Sequence, residues 1–130
     1  MRTTYPNLEI TKTIKGKLPR LPFLRLKEKV LGKIYELSIV FTDNATTKKL
    51  NRIYRGKNKP ANVLAFPLSQ NRGEIFLSIK ELEKSSHLFG KNGDTLVGLF
   101  FIHALLHLKG LSHGSTMEHM EKRLHRAFSI

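Results

Sequence analysis

Between residues 103 and 113 the chain carries the pattern H-x3-H-x2-G-x2-H, made of His103, His107, Gly110 and His113. On a helix, His103 and His107 stand one turn apart on the same face. From Leu96 to Leu108 every other residue is apolar or Gly98, so this helix is buried. Two imidazoles buried side by side need partners to offset their desolvation. Gly110 can take the left-handed conformation that ends a helix and reverses the chain, which swings His113 back towards the first pair. Three neutral imidazoles converging in this way leave one tetrahedral position for water, the layout of a catalytic zinc site. A structural zinc would want a fourth protein ligand, and the chain has no cysteine to supply one. The alternative, two core histidines bonded to carbonyls and a third on a loop, suits a lone buried histidine better than this spacing. His119 and His125, six apart, fall on different faces of one helix, and His87 lies near a helix end. These three read as ordinary histidines.

The attacking water in a peptidase needs a base. Metzincin proteases share this histidine and glycine spacing but place Glu directly after the first histidine. Here that position is Ala104, which disfavours a metalloprotease.

The elements that must hold these residues follow from periodicity and caps. Leu8 to Ile14 reads as a strand, and Leu37 to Phe41 (LSIVF) as a buried one. A helix over Leu21 to Ile34 begins near Pro22, and Asp43 or Asn44 caps another that runs to Gly56. After the basic loop Lys57-Asn58-Lys59-Pro60 come Val63 to Phe66, a break at Pro67, and a second short strand from Glu74 to Ser78. Lys80 to Phe89 is helical by propensity and stops at Gly90. Asp94 or Thr95 caps the apolar histidine helix. Ser115 to Phe128 opens with Ser-Thr-Met-Glu, a capping-box pattern, and forms a last amphipathic helix. No repeat or linker divides the chain, and its 130 residues suit one domain. The expected class is α+β, a small mixed sheet covered by helices.

Composition narrows the partner. The net charge is +13, and residues 1–60 hold 15 Lys/Arg against 4 Asp/Glu. Such a field attracts a polyanion, and nucleic acid leads. No segment pairs a basic face with a strong apolar face and tryptophans, so a membrane surface is a weaker candidate. The longest apolar run is too short to span a bilayer and the opening residues are no signal peptide, so a soluble intracellular protein is expected. The absence of cysteine excludes disulfides, thiolate zinc fingers and a cysteine nucleophile.

Two blocks of this sequence resemble the YbeY family of bacterial endoribonucleases, also called rRNA maturation factors. His103 to His113 reads H-A-L-L-H-L-K-G-L-S-H against the family's H-G-x-L-H-L-x-G-y-D-H. Leu50 to Pro67 reads L-N-R-I-Y-R-G-K-N-K-P-A-N-V-L-A-F-P against L-N-x-x-Y-R-G-k-d-k-p-T-[DN]-V-L-S-F-P. Gly73-Glu74-Ile75 stands where the family has Gly-Asp-Ile. The resemblance implies zinc on His103, His107 and His113, a four-stranded sheet with the metal helix packed on it, and a cytoplasmic protein. It further implies single-stranded RNA as substrate, notably ribosomal RNA precursor ends, and contact with the small ribosomal subunit and its factors. The family's conspicuous basic residue falls on Arg55. Ala104, Ser112, Ala61, Ala65 and Glu74 depart from the family pattern; Ser112 removes a carboxylate beside the third histidine.

With RNA as substrate, Arg55 would neutralise charge developing on the phosphoryl group, through a planar fork matched to phosphate oxygens. Arg52, Lys57 and Lys59, with Lys48 and Lys49, would contact the RNA backbone. Asp43, Glu74 and Glu118 are the candidate general bases, and either water or the RNA 2′-hydroxyl can serve as nucleophile. Tyr54 and Phe66 have ring faces that could stack on a base but are read as core and stay outside the site. The competing class is a zinc-organised module that binds RNA or the ribosome without cutting. A monomer is expected.

Overall fold

Alternating apolar residues build a five-stranded sheet in the computed structural model, which describes residues 1–90 and 93–130. The strands are β1 (Arg2–Tyr5), β2 (Leu8–Lys12), β3 (Glu36–Phe41), β4 (Val63–Ser69) and β5 (Arg72–Leu77), in the spatial order β1-β2-β3-β5-β4. The inner pairs β2/β3 and β3/β5 are parallel, and β1 and β4 close the two edges antiparallel. Ile10, Ile39 and Ile75 stand in register across the inner strands. With Leu8, Leu37, Phe41 and Leu77 they form one fully buried face.

The sheet therefore has five strands where four were expected. The extra one, β1, is polar and largely exposed, so it carries no apolar alternation to betray it. It folds back on β2 through Pro6 and Asn7, and Asn7 takes φ 59° in the left-handed region that asparagine tolerates. β2 stops at Lys12 rather than Ile14 because its partner β3 ends opposite, at Phe41. β4 runs through Pro67, where a break was expected. An edge strand accommodates a residue with no N–H to donate, and the pairing register shifts immediately after it.

Among the described residues there are six helices: α1 (Phe23–Leu31), α2 (Asn44–Arg55), α3 (Ile79–Lys84), α4 (Ser86–Phe89), α5 (Gly93–Leu108) and α6 (Ser115–Phe128). α5 is the hub. It packs on β4 and β5 and is flanked by α1, α3 and α6, which is why it is apolar nearly all round. Gly98 lets it approach Leu21 and Ile130, because a Cβ there would lie 3.2 and 3.3 Å from their side chains. The single helix expected over Lys80 to Phe89 is broken at Ser85, whose hydroxyl donates to the Glu81 carbonyl. Asp94 and Thr95 lie inside α5 and do not cap it. The expected capping box of α6 is not formed: the N-cap is Gly114, one residue earlier, which has no side chain to offer. No helix among the described residues is long and apolar enough to cross a membrane.

Candidate metal centre

His103 and His107 project from the last two turns of α5, and their Nε2 atoms face each other at 3.0 Å. The third ring arrives by the expected reversal. Gly110 adopts φ 106°, its N–H bonds the His107 carbonyl at 2.9 Å, and the Leu111 N–H bonds the Leu106 carbonyl at 3.0 Å. This pair of bonds is a Schellman motif, which satisfies the free carbonyls of the helix end while turning the chain. The turn has two products. It aims the Leu111 carbonyl at His107 Nδ1 (3.2 Å), and it brings His113 within 4.9 Å of His103 and 5.3 Å of His107, ring centroid to centroid. One ligand atom from each of the three histidines lies within 4.8 Å of the others.

The donor chemistry fits a cation. Bonding to the Leu111 carbonyl requires the proton of His107 on Nδ1, and His103 Nδ1 lies 3.4 Å from a carboxylate oxygen of Glu121 on α6. With the His103 proton on Nδ1, towards Glu121, both Nε2 atoms present lone pairs to one another at 3.0 Å, an arrangement that a positive ion between them relieves. Orientation of metal-binding histidines through the other ring nitrogen, by a carbonyl or a carboxylate, is the usual outer support of such a site. Burial holds the His107 imidazole below its ordinary pKa, and the neighbouring His103 pushes in the same direction. It is thus neutral, as a ligand must be. These residues can hold a metal ion.

Two clefts open from the triad. One, of about 250 Å3, is lined by Arg55, Asn62 and Ala65 together with the three histidines. Arg55 is the last residue of α2, whose ends are fixed by local chemistry. Asp43 accepts the Thr46 N–H at 2.8 Å at the start, and Gly56 takes the left-handed conformation (φ 69°) at the finish. The other cleft, of about 400 Å3, lies between α5 and α6 and is lined by Phe100, Met117, Glu118 and Glu121.

Of the residues singled out from sequence, the structure brings His103, His107, His113 and Arg55 to one place. Arg52, Lys57 and Lys59 are exposed at the end of α2 and in the loop beyond it, and they do not line either cleft. Of the three candidate bases only Glu118 borders the site. Asp43 is engaged as a helix cap, and Glu74 lines a groove on the other side of the sheet. Ala104 is buried beside the triad and brings no proton acceptor. Tyr54 is 66% exposed, so the core reading fails for it, while Phe66 beneath it is half-buried. Sequence reasoning missed Glu121 and Asn62. Glu121 sits four residues before His125 on an amphipathic helix, a position that shows no sign of the site until α6 is packed on α5.

Comparison with known proteins agrees with the architecture. The family model described as Endoribonuclease YbeY matches residues 6–129. A curated relative of that name from Rhizobium etli is 34% identical over 68% of this chain and 60% of its own length. One from Pelagibacter ubique is 36% identical over 72% of this chain and 66% of its own length, and one from Clostridium botulinum 29% over 92% and 86%. The first relatives are thus matched over about three-fifths to two-thirds of their lengths. A Thermotoga maritima protein solved in solution superposes with a TM-score of 0.60 at 25% identity, covering 89% of this chain and 85% of that one. The chain belongs to the YbeY family.

Proposed function

We propose that this chain is a zinc-dependent, single-strand-specific endoribonuclease acting in the maturation of small-subunit ribosomal RNA and in ribosome quality control. The observation that carries the reading is that Arg55 lines the same cleft as three histidines whose ligand atoms converge within 4.8 Å. A cation site sharing a cleft with a guanidinium suits a phosphodiester, and a net charge of +13 suits its polymer. The relatives carry the name of an endoribonuclease. In this reading the protein works as a single domain and a monomer in the cytoplasm, and meets RNA on the small ribosomal subunit and its factors.

His103, His107 and His113 would hold the ion, which when bound supplies Lewis acidity toward a phosphoryl oxygen and a lowered water pKa. Arg55 neutralises the charge that grows on the non-bridging oxygens. Glu121 and the Leu111 carbonyl would orient two imidazoles through their Nδ1 atoms. Glu118, exposed and lining the neighbouring cleft, would accept a proton in this reading. Arg52, Lys57 and Lys59 hold the flanking strand.

The test is cleavage of a labelled single-stranded RNA by zinc-loaded protein beside identically purified His107→Ala and Arg55→Ala. The wild type should cut, a chelator should abolish cutting and zinc restore it, and His107→Ala should be inactive. Arg55→Ala should lower the single-turnover rate; a change in binding alone would reduce Arg55 to an anchor. Cyclic 2′,3′-phosphate ends would identify the RNA hydroxyl as nucleophile. Ser112, exposed where the family has Asp, favours one other reading, a zinc-organised module that binds RNA without cutting. Tight RNA binding with no turnover by any of the three proteins would establish it.

A further inference from the structure

From Arg52 to Lys59, the end of α2 and the loop after it, every residue is exposed. Four of these residues are cations, and two are large and apolar: Ile53 at 55% exposure and Tyr54 at 66%. Isolated exposed apolar residues are ordinary. Tyr54 is distinguished by its seat. Its ring centroid lies 5.3 Å from that of Phe66, which in turn meets Phe76 edge-on at 5.9 Å. Three aromatic rings are thus tiered, with the outermost open to solvent.

The tier stands beside the metal centre, around the edge of the sheet. Ala65 of β4 lines the histidine cleft, so its neighbour Phe66 points to the opposite face of the strand. Tyr54 lies against Phe66, while Arg55, the next residue along α2, lines the histidine cleft. The last two residues of α2 therefore straddle the edge strand, one on each side. The open Tyr54 ring is thus the immediate neighbour along α2 of the guanidinium that would hold a phosphate.

We infer that Tyr54 is a nucleobase-stacking platform. An unpaired base next to the phosphate held by Arg55 lays its face on the open ring, and Arg52, Lys57 and Lys59 hold the phosphates around it. This rests on the RNA reading above and adds a means of selection. Cations recognise phosphates on paired and unpaired strands alike, whereas only an unpaired base has a face to give to a tyrosine. Phe66 supports the ring from one side, and Phe76 in turn backs Phe66.

Binding is measured in the His107→Ala background, so that the strand survives, using a labelled oligouridine and an oligomer of equal length and charge built from stable abasic residues. The base-bearing strand should bind about 5- to 150-fold more tightly, the range of one base–aromatic stack. Tyr54→Ala should abolish most of that ratio and leave the salt dependence unchanged, and Tyr54→Phe should retain the ratio. A ratio that survives in Tyr54→Ala overturns the stacking platform and leaves the RNA reading standing. If neither oligomer binds in a salt-dependent way, the RNA reading itself fails and the platform falls with it.

Discussion

Glu121 reaches His103 from a helix that lies outside the histidine motif. The local spacing of His103, His107, Gly110 and His113 is legible because a helix turn and a left-handed glycine are properties of neighbouring residues. Partnership with Glu121 depends on how α6 settles on α5, which no local pattern encodes. The same holds for Tyr54: an aromatic residue near apolar neighbours suggests core, and only the placing of α2 at the sheet edge leaves its ring open. Glu121 fixes a tautomer and an orientation, so Glu121→Gln should weaken metal binding about 10- to 100-fold. Competition against a chromophoric chelator measures this, and an unchanged affinity would show that the carboxylate only lies nearby.

At the scale of elements, α2 was readable to within a residue because both ends carry their own chemistry, Asp43 at one and Gly56 at the other. Elements whose limits come from partners were not. β1 exists because β2 offers it an edge, and β2 stops where β3 stops. α6 starts a residue too early for Ser115 to cap it. The cap of α2 also has a pH signature. The Thr46 N–H holds the Asp43 carboxyl below its ordinary pKa, so the folded state favours the charged form. That stabilisation is complete above the unfolded pKa of about 4 and is lost as pH falls through the lower folded value. Asp43→Asn can still cap but does not titrate. The melting temperature of the wild type should therefore exceed that of Asp43→Asn near pH 6, and the gap should close below about pH 4. A gap constant with pH would remove the charge from the account of the cap.

Across the whole molecule the charge is lopsided, with 15 of the 23 Lys and Arg in the first 60 residues. The four cations at the end of α2 belong to that half, and they predict how RNA affinity should respond to salt. Each single-strand phosphate contact contributes a slope of about −0.7 in log affinity against log salt, so alanine at Arg52, Lys57 or Lys59 should each flatten the slope by about 0.7. Titrations over several salt concentrations read this directly, and an unaltered slope would remove that residue from the contact set.

The strand order has a consequence during synthesis. β3 is flanked by β2, already made, and by β5, which emerges only after α2 and β4. Until then Leu37 to Phe41, uncharged and β-prone, has one edge unpaired, the condition in which strands of neighbouring chains template one another. The 15 cations of the first 60 residues are in place by that stage, and like charge keeps nascent copies apart. The basic half of the chain thus protects an unfinished sheet from self-association before there is any folded surface to recognise a ligand.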